Sequence, residues 1–395
     1  MEIGSFEGWR RDPARAWMEP RLQALAGLGR QLGCLVGGAV GDAFSAPVEF
    51  MPRSEILRRF GPQGLRELVP AYGRLGAITD DTQMTLFTAE GLLRAWVGAR
   101  LHEADPAFAA ETDRAYQRWL WTQGETPPLG APHRGPAPAG LLAQRELFAL
   151  RAPGLTCLQA LRRKSRAGEP AVNDSKGCGG VMRVAPAGLL CAALGGEGLD
   201  ERAFGLGREL AALTHGHPSG QLPAGYLALL LALLAQGEAP QAAHGRARAR
   251  LAAEADAGET LSLLDRAVEL ARTDPGQPAA LERLGEGWVA EEALAIAVYC
   301  AFGELPAGAD DAFARAVRLA VNHDGDSDST GSIAGQIVGA ALGAGAIPAR
   351  WIEPLELRET IRELAEDLAG AGDWRIAPGD DGAECRYFAA RYPGG

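Results

Sequence analysis

Two short acidic clusters carry the residues best suited to chemistry: Thr79-Asp80-Asp81-Thr82 and Asp324-Gly325-Asp326-Ser327-Asp328-Ser329-Thr330. Each sets carboxylates beside hydroxyls at the head of an apolar helical pattern. Met84, Phe87, Leu92 and Trp96 follow the first; Ile333, Ile337, Val338 and Ala341 follow the second. A helix start favours negative charge through its free N–H groups and its dipole. Plain capping would therefore account for either cluster alone. Brought together, the acids would repel unless a cation lay between them. An all-oxygen donor set suits Mg²⁺ or Mn²⁺. Thr79, Asp80, Asp81, Asp326, Asp328 and Ser329, with waters, offer enough ligands for two octahedral ions. The D-x-D-x-D run is not a calcium-binding EF-hand. Counted from Asp324, the position that needs Gly holds Ser329, and the one that needs Glu holds Gly335.

Three further segments have chemical potential. In Gly38 to Glu49, small residues let one helix end approach another backbone, and Asp42 and Glu49 add acids beside a turn at Pro47. Asp42 reads as a cap or buried hydrogen-bond partner; Glu49, before Phe50-Met51-Pro52, reads as a mobile acid near a cleft. Asn173 to Arg183 is a glycine-rich loop running into a helix, a shape that can present N–H groups to phosphate. It lacks the P-loop order. Cys178 within it has no paired base and reads as a small residue in a tight loop. Thr214-His215-Gly216-His217-Pro218 lacks the further ligands of a zinc site. Contact with a base or ribose, or a helix C-terminal cap, suits these histidines equally.

The elements that must position these residues are helices. Ala, Leu, Arg and Glu dominate, and alternating β-branched runs are scarce. The pattern predicts helices near 22–41, 83–98, 107–121, 139–150, 181–193, 202–214, 221–235, 289–302, 310–321, 331–344 and 356–369. Gly331, Gly335 and Gly339 recur every fourth residue, which predicts closely packed backbones. The chain divides into an N-terminal extension, 1–24, a single all-α domain, 25–378, and a C-terminal tail, 379–395. Segments 126–138 and 163–180 read as loops.

The chain has 395 residues, 47% of them hydrophobic, enough for a large core. A net charge of −11 argues against non-specific nucleic-acid binding and against an anionic membrane surface. Leu222–Leu234 is apolar but too short to span a bilayer. Six cysteines without CxxC spacing point to a reduced, cytoplasmic protein.

GGAVGDAFSAPVE, ITDDTQMTLFTAEGLL, SKGCGGVMRVAP, LTHGHPSG and NHDGDSDSTGSIAGQIVGAALG, in this order, resemble the ADP-ribosylglycohydrolase family over roughly residues 30–345. The joint pattern is specific, although no single piece is. The resemblance implies a compact, single-domain orthogonal helix bundle with a dinuclear Mg²⁺ or Mn²⁺ centre in a cleft. Thr79, Asp80 and Asp81 match its first metal motif; Asp326 and Asp328, with Ser329 in place of the usual Thr, match its second. Glu49 matches an acid on a loop over the metals. Ser175, Gly177, Cys178, Gly179 and Gly180 match the part that cradles the ADP-ribose phosphates and ribose, with Cys178 where relatives carry Asn. His215 matches a residue lining the cleft. The implied reaction is hydrolytic release of ADP-ribose from a modified protein side chain, arginine first, with serine-linked or nucleic-acid-linked ADP-ribose as alternatives. Asp80 or Asp81 is the candidate base or acid, and Glu49 the second candidate. Two readings of another class stand beside it. One is an immunity protein that binds an ADP-ribosylating toxin through an arm bearing Trp9, Arg10, Arg11 and Trp17. The other is a structural protein that kept the fold without catalysis, against which both acidic clusters argue.

Overall fold

A computed structural model describes residues 12–130, 139–305 and 311–394. Among these residues the fold is all-α, with two isolated bridges, Ala71 to Arg74 and Gly177 to Val289, and no strand. In chain order the helices are α1 (Glu19–Ala24), α2 (Leu28–Ser45), α3 (Arg53–Phe60), α4 (Asp80–His102), α5 (Phe108–Thr122) and α6 (Leu155–Arg162). Then come α7 (Ala185–Leu194), α8 (Leu199–Ala212), α9 (Pro218–Ala235), α10 (Pro240–Leu251), α11 (Gly258–Thr273) and α12 (Pro278–Leu281). The last six are α13 (Ala290–Glu304), α14 (Ala312–Val321), α15 (Ser327–Leu342), α16 (Ala349–Ile352), α17 (Arg358–Gly370) and α18 (Ala383–Arg391).

The pair α2 and α15 is the axis on which the site is built. Gly33, Gly37 and Gly41 of α2 meet Gly339, Gly335 and Gly331 of α15 in antiparallel register, and a Cβ on any of the six would collide with the opposite backbone. Glycine is needed here for close approach, not for an unusual dihedral angle. The register carries the C-terminal end of α2, with Asp42, to the acidic N-terminal end of α15. The close packing expected for Gly331, Gly335 and Gly339 is present. The same every-fourth spacing at Gly33, Gly37 and Gly41 was the signal for the partner helix.

The α9 helix begins at Pro218, earlier than the sequence pattern predicts. Its 18 residues are long and apolar enough to cross a membrane by length and composition, but 89% of them are buried inside this fold. The helix expected over 139–150 is instead two 3₁₀ turns, Gly140–Ala143 and Arg145–Leu147. Gly140 has a left-handed φ of 61° and Gln144 is extended, so no continuous α ladder can run through them. Helices α3, α6, α10, α11, α12, α16 and α18 were not anticipated. The inner face of α10 is Ala243, Ala247 and Leu251, and small side chains make a faint hydrophobic stripe.

The two termini pack on each other. Arg15 is buried against Asp367 (2.9 Å) and Glu366 (3.1 Å), and Arg391 reaches the same Asp367 at 2.8 Å. Trp17 meets Tyr387 and Phe388 edge-on. Residues 12–21, part of the expected N-terminal extension, therefore seal α17 against α18, and part of the expected C-terminal tail is helix α18. Of the arm residues in the toxin-binding reading, Trp9, Arg10 and Arg11 lie outside the described residues, and Trp17 is engaged within the fold. Part of the loop expected over 126–138, residues 131–138, also lies outside them.

Candidate active site

Asp42 organises the first acidic cluster. Its buried carboxylate accepts the Thr79 N–H (3.0 Å), the Thr79 hydroxyl (2.7 Å), the Thr82 N–H (3.1 Å) and the Thr82 hydroxyl. Burial lifts its pKa to about 6 in spite of these donors. The hub fixes Thr79 as the N-cap of α4, where its hydroxyl also accepts the Asp81 N–H at 3.3 Å. The chain entering α4 is held by Glu356, which accepts the Ile78 N–H (3.1 Å) and pairs with Arg74 (3.1 Å) and Arg151 (3.5 Å). Sequence reasoning had found Asp42 as a cap or buried partner but had missed Glu356 and Arg151, whose positions depend on distant packing.

Asp80 and Asp81, at the first turn of α4, come together with Asp328, at the first turn of α15. One carboxylate oxygen from each lies within 4.8 Å of the others, and all three residues are buried. Asp80 is oriented by the Gly154 N–H (3.0 Å) on its Oδ2. Asp81 Oδ1 is buried with no hydrogen-bond partner, as is Glu49 Oε2. Burial, then the Asp328 charge, raises Asp80 and Asp81 well above the usual carboxylate range. Burial, then Asp326, does the same to Asp328. Glu49 is pushed up to about 10 by burial, then by Asp328 and Asp80, which places its carboxyl beside the same cluster. Orphaned oxygens, mutual repulsion and an oxygen-only donor set fit a hard divalent cation.

Asp326 is held differently from Asp328. Its Oδ2 accepts the Cys178 thiol at 2.7 Å, and its Oδ1 accepts the Ser329 N–H at 3.3 Å as the N-cap of α15. Burial, then Asp326, holds the Cys178 pKa well above the usual thiol value, so the side chain is a protonated donor and not a nucleophile. The Thr330 hydroxyl turns inward to the Ala320 carbonyl (2.8 Å), the Asp326 carbonyl (3.0 Å) and His323 Nε2 (2.9 Å). Ser329 Oγ has a long contact of 3.8 Å to Met182 Sδ and a second neighbour in the Cys178 thiol. Ser329 is thus the less committed hydroxyl of the pair. Asp324 lies outside the cluster: it caps α3 by accepting the Arg53 N–H at 2.8 Å.

The glycine loop lies alongside. The Gly177 N–H donates to Ser175 Oγ (3.2 Å) and the Cys178 N–H to the Trp288 carbonyl (3.3 Å). His215 is buried behind the loop, because a Cβ on Gly177, Gly179 or Gly180 would press on its ring. Arg183, fully buried, donates to Thr214 Oγ1 (2.7 Å), and that hydroxyl is hydrogen-bonded to His215 Nδ1 (2.8 Å). His215 is neutral, its pKa lowered to about 3 by burial and by the Arg183 charge. His217, for which a helix C-terminal cap was one expectation, instead caps the N-terminus of α9, its Nδ1 accepting the Ser219 N–H at 3.0 Å. A groove of about 460 Å³ leads away from Ser175, lined by Thr156, Gln159, Arg163, Lys164 and Asn173.

An all-helical scaffold that gathers buried carboxylates at two facing helix starts has the donor chemistry of a hard-cation site. Comparison with known proteins makes the class of protein specific. The sequence pattern of the ADP-ribosylglycohydrolase family matches residues 25–377, and the chain belongs to that family of glycohydrolases. It is 26% identical over 353 residues to the ADP-ribosyl-[dinitrogen reductase] glycohydrolase of Rhodospirillum rubrum, covering 87% of this chain and 97% of that protein. An uncharacterized protein of Archaeoglobus fulgidus is 30% identical over 340 residues, covering 85% of this chain and 94% of the other. A solved ADP-ribosylglycohydrolase-related protein complex superposes with a TM-score of 0.57 at 28% identity, covering 88% of this chain and 99% of that one.

Proposed function

We propose that the protein is a metal-dependent hydrolase that releases ADP-ribose from modified protein side chains, with arginine as the acceptor. The observation that carries this reading is the buried convergence of Asp80, Asp81 and Asp328 with orphaned oxygens on Asp81 and Glu49. Thr79, Asp80, Asp81, Asp326, Asp328 and Ser329 would hold Mg²⁺ or Mn²⁺, two ions on this reading. The bound metal would supply the positive charge that lets these carboxylates ionise together and would polarise oxygen ligands.

The chain's own groups then divide the proton work. Asp81, with Oδ1 free of protein donors, orients a water and takes its proton, with Asp80 as the alternative base. The water oxygen bonds to the anomeric carbon, and the bond from that carbon to the guanidine nitrogen breaks with its electron pair leaving on nitrogen. Glu49, whose carboxyl lies beside the cluster, is the group placed to supply the proton that the leaving nitrogen requires. Carboxylates around the anomeric carbon stabilise its oxocarbenium character. Ser175, Gly177, Cys178, Gly179 and Gly180 would hold the diphosphate and ribose, with His215 backing the loop. A cytoplasmic location fits the six unpaired thiols.

The test is release of ADP-ribose from arginine-, serine- and nucleic-acid-linked substrates, with Mg²⁺, with Mn²⁺ and with chelator. Release from the arginine substrate that stops with chelator and returns with metal is expected. Release from none of the three with metal present would sink the reading.

A further inference from the structure

Phe50 and Trp288 are large rings left in solvent, 70% and 42% exposed. They face each other with centroids 6.2 Å apart and planes within 14° of parallel. Neither ring gains the burial that accounts for most aromatic side chains in a folded protein. Both are placed by ties to the second acidic segment. Phe50 directly follows Glu49, and the same turn is fixed where the Arg53 N–H donates to Asp324 Oδ1 at 2.8 Å. Trp288 follows Glu286, whose carbonyl accepts the Asp326 N–H at 2.8 Å, and its own carbonyl accepts the Cys178 N–H at 3.3 Å. Both rings are therefore carried by segments tied to the acidic cluster, and Phe50 adjoins Glu49, whose Oε2 is buried and partnerless.

Two chemical selections act at that position. Exposed aromatic faces attract a cation. The two rings stack on each other, too close to admit a group between them, so a flat group packs on an exposed ring face in preference to a compact one. A guanidinium is planar, charged and weakly hydrated, and it stacks on aromatic faces. A serine side chain offers neither charge nor plane. We propose that Phe50 and Trp288 form, with Glu49, the acceptor clamp of the site: an exposed ring face packs on the guanidinium of an ADP-ribosylated arginine, and the glycosylated nitrogen faces Glu49. This inference rests on the reading of the site as a hydrolase of arginine-linked ADP-ribose.

The test compares wild type, Phe50→Ala, Trp288→Ala and Trp288→Tyr on an arginine-ADP-ribosylated peptide with Mn²⁺, alongside calorimetric binding of free ADP-ribose. Thermal unfolding of each variant checks that the fold is kept. Either alanine variant should raise KM for the peptide roughly tenfold, the size of a well-formed cation–ring contact. The loss should fall on KM more than on kcat, the Kd for ADP-ribose should stay put, and Trp288→Tyr should recover most of the affinity. An unchanged KM in both alanine variants overturns the clamp while leaving the hydrolase reading intact. A Kd for ADP-ribose that rises by the same factor as KM also overturns it, because the rings would then hold the nucleotide. Wild type that releases nothing from the arginine peptide is the distinct signature of failure in the underlying reading, and the clamp falls with it.

Discussion

Ser329 and Thr330 are neighbours with opposite fates. Thr330 spends its hydroxyl on the Ala320 and Asp326 carbonyls and on His323, whereas Ser329 Oγ stays close to the acidic cluster without a strong partner. Thr330→Val should therefore cost about 1–2 kcal/mol of stability and leave Mn²⁺ affinity unchanged. Ser329→Ala should weaken Mn²⁺ binding with little change in stability. Urea unfolding and calorimetric Mn²⁺ titration of both variants separate the two, and a reversed pattern would reassign the hydroxyl. At this scale the sequence made the donor types legible, since acids and hydroxyls in clusters are visible as letters. Which oxygen is free was not legible. The capture of Asp326 by the Cys178 thiol joins residues far apart in the chain, and no local pattern encodes that contact.

The two acidic segments meet because α2 and α15 lock together glycine to glycine. Gly335 faces the Gly37 carbonyl with no room for a methyl group. Gly335→Ala should force the helices apart and cost about 1–3 kcal/mol, the usual penalty of overpacking. Because the same contact sets Asp328 against Asp80 and Asp81, the variant should also lose Mn²⁺ affinity. Unfolding midpoint and metal titration are both needed, and a destabilised variant with intact metal binding would show that the site does not depend on this register. Helix starts at Thr79 and Asp326 were legible, because capping side chains and an apolar periodic run coincide there. Helix α10 was not, because Ala243 and Ala247 carry its inner face and alanine barely marks a stripe. The glycine spacing on α2 was in plain view, but pairing it with α15 requires a register that one segment alone cannot supply.

Across the whole molecule, the buried acids make the metal-free fold sensitive to pH. Their folded-state pKa values lie above those of an unfolded chain: about 6 for Asp42, about 10 for Glu49, and raised for Asp80, Asp81 and Asp328. A carboxyl shifted this way binds its proton more tightly when folded. Its contribution to stability is complete below the unfolded value, near pH 4, and is lost as pH rises through the folded value. The chelated protein should therefore unfold at a lower temperature at pH 8 than at pH 5.5, within the window in which Asp42 titrates. Added Mn²⁺ should raise Tm more at pH 8 than at pH 5.5, since metal and protons compete for the same oxygens. Equal Mn²⁺ shifts at both values would contradict a site made of these acids. The all-α class was legible from composition alone; the sealing of residues 12–21 onto α17 and α18 was not, because Arg15 finds Asp367 only in three dimensions.

If the carboxylates joined at two helix starts perform the hydrolysis, Asp81→Asn must abolish it. The substitution keeps shape and burial while removing the charge of the least committed oxygen in the cluster. The measurement is the initial rate of ADP-ribose release from an arginine-ADP-ribosylated peptide at saturating Mn²⁺, on variant and wild-type protein with matched thermal unfolding. The account predicts release by wild type and a rate at background for Asp81→Asn. A variant that turns over at the wild-type rate would contradict it.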